Sequence, residues 1–274
     1  MLANFSAEAL KLYKRPAAWA LLLVALALSQ VFNYLVPYAG YLSAENDRMA
    51  ERILAGMMPE NLIASSIAGF PLFAGALTLT LGALLVGSEY GWGTLKTVLI
   101  QRPRRLSVYA GQLLALAVAV FAIVLVVFAL GALTSYAIAA SQSVAVDWPP
   151  LVDLAQGFAS GWLILMTWCL LGAMLAFVFR GMALPIGLGV VWILGVENLI
   201  TGVAANLLDF AETLEKGLPG VNAGSLVAAL GGSAEGTPGV NTVVDGTQAT
   251  LVLLAYAVVF IMVAAVTLHR RDVT

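Results

Sequence analysis

The sequence predicts an all-helical integral membrane protein with six transmembrane spans and an N-terminal interfacial helix. Two observations carry this. First, 61% of the 274 residues are hydrophobic and only 10% are charged, with a mean hydropathy of +0.96. Soluble domains carry about 25% charged residues, and no soluble core buries this much apolar surface. Second, the apolar residues fall into six stretches, each near the roughly 20 residues that a helix needs to cross a bilayer. In hydrocarbon a helix satisfies its own backbone.

Residues 2–16, LANFSAEALKLYKRP, have helical spacing. Leu2, Phe5, Ala9, Leu12 and Tyr13 share one face and Lys11, Lys14 and Arg15 the other. This pattern predicts a helix lying in the membrane interface. The expected spans follow at about 17–37, 61–86, 108–140, 153–179, 183–203 and 249–268. The third exceeds one bilayer crossing and must tilt or project. Pro71 and Pro185 are expected kinks in the second and fifth. Residues 42–58 between the first two spans are polar and helix-capable. Residues 204–248 form the longest connection. Its first half, NLLDFAETLEKGLPG, suits a short external or partly re-entrant helix, and its second half is loop by composition.

Basic residues orient the spans. With the N-terminus inside, Lys11, Lys14, Arg15, Lys96, Arg102, Arg104, Arg105, Arg180, Arg270 and Arg271 are cytoplasmic. Only Arg48, Arg52 and Lys216 are then external. Both termini are expected in the cytoplasm of a multi-pass protein of a cell (plasma or inner) membrane. Trp19 and Trp92 mark inner boundaries, and Tyr38, Tyr41 and Trp148 outer ones.

Catalytic constellations are missing. One cysteine, Cys169, excludes an intrachain disulfide, and one histidine, His269, excludes an H-E-x-x-H zinc site. The chain has no G-x-x-x-x-G-K-[ST] and so no ordinary P-loop ATP site of its own. Asp147 and Asp153 flank a Pro-Pro turn and are read as solvated loop. Two polar groups within spans stand out instead. Gln30, Asn33 and Tyr34 share a face of the first span, and Glu197, Asn198 and Thr201 cluster in the fifth. A carboxyl group within a span is costly and is a functional candidate by default; together these six residues are candidates for a solute pathway or its gate. Small residues recur every seventh position in the second span, as Ala68, Gly75 and Gly82 beside Gly69, Ala76 and Ala83, which lets backbones approach closely.

The stretch GSEYGWGTLKTVLIQRPRRLSVYAG, residues 87–111, interrupts the apolar chain with Glu89, Lys96 and a basic cluster of Arg102, Arg104 and Arg105. The cluster is explained by a membrane flank that favours anionic headgroups, and no nucleic acid is expected. Glu89, Gly93 and Thr94, then Pro103, Arg105 and Gly111, form an ordered pattern. It resembles the "E…GT" segment between the second and third spans of permease subunits of type-2 (ABC-2) ATP-binding cassette transporters. Those permeases carry a lysine after the last glycine, where this chain has Gln112. The layout also resembles that family: a basic interfacial helix, six spans, both ends inside and a large external connection before the last span.

The resemblance implies the membrane subunit of a bacterial exporter. It works as a homo- or heterodimer of permeases with separate P-loop ATPase subunits, on which ATP and Mg are bound. Residues 88–101 are then a coupling helix seated on the ATPase, with Glu89, Trp92, Gly93, Thr94 and Lys96 making the contact. A secondary transporter or a membrane assembly subunit are the alternatives. A secondary transporter would show internal repeats and paired intramembrane charges, and only Glu197 qualifies.

Overall fold

The computed structural model describes residues 2–94, 105–201, 213–234 and 236–270, which form helices and their connections with no strand among them. Helix α1 (Leu2–Lys14) ends where Arg15 turns extended ahead of Pro16, as a residue before proline must. Pro16 opens α2 (Pro16–Leu42) at a position that needs no N–H donor. The short helix α3 (Asp47–Gly56) is capped by Asn46, whose side chain accepts from Met49 N–H at 2.9 Å. Then come α4 (Pro59–Gly91), α5 (Arg105–Ser141), α6 (Leu151–Phe179), α7 (Ala183–Leu199), α8 (Pro219–Ala229) and α9 (Gly246–Arg270). Asp245 caps α9, accepting from Thr247 and Gln248 N–H at 2.8 and 3.0 Å.

Five helices, α2, α4, α5, α6 and α9, are long and apolar enough to cross a membrane. They cover five of the expected spans. Helix α5 has 37 residues and is about 55 Å long at 1.5 Å per residue, so it projects beyond one bilayer thickness. The fifth span is the exception. Its apolar helix α7 is shorter, with helical backbone to Thr201. Pro185 lies in the first turn of α7, where proline is tolerated.

The apolar helices alternate in direction. Asn4 Nδ2 donates to Ser107 Oγ at 3.3 Å, and an Arg105 Nη donates to Leu268 O at 3.2 Å. Phe177 packs edge-on against Tyr90 and Tyr109. These contacts gather α1, the end of α4, the start of α5 and the ends of α6 and α9 at one end of the bundle. Lys11, Lys14, Arg15, Arg105, Arg180 and Arg270 belong to that end, called the basic end below. At the opposite end Tyr41 Oη donates to Gln142 Oε1 at 3.0 Å and Gly157 lies against Ile63.

The core is the α4–α6 pair. A methyl group on Gly82 would collide with the Cys169 carbonyl, and one on Gly172 with the Leu79 carbonyl. The two backbones therefore meet through reciprocal glycines, the arrangement small residues permit in lipid. Trp168, Leu165, Leu79 and Leu85 are fully buried around the contact. Of the small residues in the second span, Gly75, Gly82 and Ala83 serve this packing.

One expectation is corrected. The face that α1 turns inward is mostly polar: Asn4, Glu8, Leu12 and Arg15 are buried, while Leu10 and Tyr13 are exposed. Ion pairing offsets the cost of burying these groups. In 204–248, residues 204–212 lie outside the described residues, and the second half is loop to Asp245 among its described residues, as expected; helix α8 lies between the two halves. It begins with Pro219 at its first position, and Val221 to Val227 are buried against α9, α6 and α4. Of 206–220, the described part holds one helical turn at 213–215 before the chain breaks at Leu218.

Candidate functional site

Two polar sites lie at different levels of the bundle. The first is the junction at the basic end. Glu89 occupies the last turns of α4 and is 2% exposed. Its Oε1 accepts from Lys11 Nζ at 2.7 Å, and its Oε2 accepts from Thr94 Oγ1 at 2.7 Å. Lys11 also donates to Glu8 at 2.9 Å. An Arg15 Nη donates to Leu84 O at 3.0 Å, while the guanidinium lies 4.8 Å from the Trp92 ring centroid. Two carboxylates, one ammonium and one guanidinium thus make a compact cluster without net formal charge.

Burial pushes the Glu8 carboxyl above its usual range, against the pull of Lys11. Burial alone would lower Lys11, but its bonds to Glu89 and Glu8 prevail and hold it above the usual range. Burial also lowers Arg15, against the attraction of Glu89 and Glu8. The junction is a set of mutually dependent charges.

The candidate residues of 88–101 divide here. Ser88–Gly91 continue α4, so Glu89 points into the protein and holds α1. Trp92 is 66% exposed. Gly93 turns the chain at φ +66° with open space around it, a conformation that suits glycine. Lys96, Arg102 and Arg104 lie outside the described residues. Gly111 lets α1 approach α5, since a methyl group there would sit 2.7 Å from Asn4 Cβ. Hydropathy alone misses Glu8, Lys11 and Arg15 as a unit. Their i, i+3, i+7 spacing, an acid followed by two bases on one face, is the available signal.

The second site surrounds π-helical turns. Helix α2 widens at Val31–Leu35, α4 at Phe70–Ala74 and α7 at Trp192–Val196. The one in α4 contains Pro71, and Pro37, which has no N–H for the Asn33 carbonyl, follows the one in α2. Such turns free backbone carbonyls and recur at functional sites. The π turn of α4 has a cleft on either side. One, with α2, is lined by Ser29, Asn33, Ser66 and the stacked rings of Phe32 and Phe73. The other, with α7 and α8, is lined by Pro71, Leu72, Glu197, Asn198, Thr201 and Asn241.

The α2 trio does not share a face. Gln30 Oε1 accepts from Thr134 Oγ1 at 2.7 Å, Tyr34 Oη lies 3.4 Å from Ser65 Oγ, and Asn33 faces the cleft. The π turn between them shifts the helical register that the spacing assumed. Glu197, Asn198 and Thr201 do stay together. Glu197 is 5% exposed, and Trp192 Nε1 donates to its Oε1 at 2.6 Å. Its carboxylate also accepts from Gly220 N–H at the start of α8, where the helix dipole favours an anion.

Gly220 leaves room for that carboxylate, because a methyl group there would overlap Glu197 Oε2. Gly220→Ala is therefore expected to expel the carboxylate and loosen α8 by about 1–2 kcal/mol, the worth of a helix cap. Hydrogen exchange read by mass spectrometry checks this. Exchange across 219–229 rises in the variant; an unchanged rate contradicts the assigned contact.

A comparison with curated proteins finds no match. A family described as "Protein of unknown function (DUF2705)" matches residues 21–274. The match takes in both sites except α1 and its Glu8, Lys11 and Arg15. By this match over nearly its whole length, the chain belongs to the DUF2705 family.

Proposed function

We propose that this chain is the permease subunit of an ABC-2-like exporter, paired with a second permease and driven by separate P-loop ATPases. The observation that carries the reading is the junction at the basic end. The Glu89, Gly93, Thr94 and Gly111 of the "E…GT" pattern all have structural work there. Glu89 and Thr94 bond to each other, Glu89 grips α1, Gly93 turns the chain and Gly111 seats α1 on α5. A push on the 88–101 segment would therefore reach α1, α4 and α5 at once. That is what a coupling element must do.

Six alternating helices, with six of the described Lys and Arg at the end that holds both termini, support a cytoplasmic basic end. The buried α8 supports a partly re-entrant connection before the last span. ATP and Mg belong to the partner. This chain's contribution is to transmit closure of the ATPase dimer into a change in which side the pathway faces.

Orientation is tested with single cysteines in a Cys169→Ala background. An impermeant maleimide applied to intact cells should label cysteines at Glu45, Asp147 and Thr242. It should label those at Lys14 and Gly91 only after lysis. Labelling of Gly91→Cys in intact cells would overturn the orientation.

A further inference from the structure

The polar lining of the cleft beside Glu197 is the Glu197 carboxyl with Asn198, Thr201 and Asn241. Glu197 is one-twentieth exposed, yet its carboxylate lines the cleft. An ionised carboxylate offers about four lone-pair sites. Trp192 Nε1–H and Gly220 N–H take two of them. The ion pairs among the described residues are those of Lys11 with Glu8 and Glu89, so no protein cation neutralises Glu197 there. A buried, unpaired carboxylate is expensive.

Its two polar neighbours have their donors committed elsewhere. Asn198 Nδ2 donates to Ile193 O and Leu194 O at 3.2 and 3.1 Å. Those carbonyls belong to the π turn of α7. Thr201 Oγ1 donates to Glu197 O at 3.1 Å. What Asn198 and Thr201 have left to offer a ligand is lone pairs. The remaining wall is largely apolar, with Pro71, Leu72, Ile193, Val221, Val240 and Val243. The cleft thus offers the Glu197 carboxyl and the lone pairs of Asn198 and Thr201, with the Asn241 amide beside them, and its apolar lining suits hydrocarbon.

We infer that this cleft binds a protonated organic amine, with its ammonium N–H groups on Glu197, Asn198 and Thr201 and its hydrocarbon against the Pro71, Leu72 and valine wall. Charge complementarity with the Glu197 carboxylate, flanked by the lone pairs of Asn198 and Thr201, selects the ammonium. The apolar wall selects an organic body over a bare ion. The inference rests on the exporter reading and supplies its substrate class. The direct test needs no ATPase, so its failure is separable from failure of the coupling assignment.

The full chain in nanodiscs is equilibrated with radiolabelled 2-phenylethylamine at neutral pH, with protein-free nanodiscs as the blank. Saturable binding is expected. Glu197→Gln keeps the side-chain shape and should weaken binding by about tenfold or more, the worth of one hydrogen bond to a charged group. Thr201→Val, which leaves the carboxylate in place, should weaken it several-fold and serves if the glutamine variant fails to assemble. Asp153→Asn, on an exposed turn, should bind as the parent does. The N,N,N-trimethyl analogue keeps the charge without N–H donors and should bind at least several-fold less tightly. Absence of saturable binding to the parent would overturn the inference. So would equal binding by Glu197→Gln and Thr201→Val, or equal affinity for the trimethyl analogue.

Discussion

Glu89→Ala is expected to detach α1 from the bundle while the apolar helices stay assembled. The substitution leaves Lys11 and Arg15 facing Glu8 alone and removes the carboxylate acceptor for Thr94, leaving it the Glu89 carbonyl at 3.4 Å. Breaking a buried pair costs about 3–5 kcal/mol. The lower end, about 3 kcal/mol, applies here because Lys11 keeps Glu8 and its side chain is a third exposed. Thermal unfolding in detergent should show the loss, and protease should cut between α1 and α2 sooner. Glu89→Gln should lose less, because its amide still accepts one bond. A double-mutant cycle with Lys11→Met isolates the pair. Coupling of about 1 kcal/mol or more is expected for contacting residues, and strict additivity would contradict the junction.

Gly82→Leu is expected to have the largest effect on folding. The side chain would have to occupy the space of the Cys169 carbonyl, which is backbone and has no rotamer to yield. Overpacking costs about 1–3 kcal/mol where side chains can shift, and more where they cannot. Gly172→Leu meets the Leu79 carbonyl in the same way. Both variants should fail to give a monodisperse peak in size-exclusion chromatography of a fluorescent fusion. Gly69→Leu, on the same helix with open space around it, should elute normally. Normal elution of Gly82→Leu would mean that α4 and α6 are farther apart than described here.

The apolar helices were legible because a bilayer imposes a length and a composition that few other environments demand. Their ends were less so. Helix α4 runs on through Ser88–Gly91 because nothing in that turn stops a helix, although its hydropathy falls. Helix α8 was illegible: PGVNAGSLVAA is too short for a span and adjoins glycine-rich loop, so only burial by its neighbours reveals it. The π turns left no mark in the spacing, and the one in α2 separated Gln30 and Tyr34 from Asn33. Glu197, Asn198 and Thr201 stayed together because they follow the π turn of α7 within little more than one helical turn. Glu89 was legible as a special residue, but its inward direction was not. Hydropathy treats Lys11 and Arg15 as surface, and pairing is what brings them inside.

The coupling assignment is tested most directly by co-purification of the chain with its ATPase in nanodiscs, with a bulky residue placed on the 88–101 segment. Gly91 and Gly93 both have open space for a Cβ, so a side chain at either meets no described neighbour. Gly91 lies in regular helix and adds no backbone strain, whereas Gly93 has positive φ. The account predicts a stoichiometric P-loop ATPase with the parent protein. It also predicts that Gly91→Trp and Gly93→Trp, both monodisperse, lose the ATPase or retain it without substrate-dependent turnover. A parent chain that carries no P-loop ATPase, or tryptophan variants with full binding and full coupling, would contradict it.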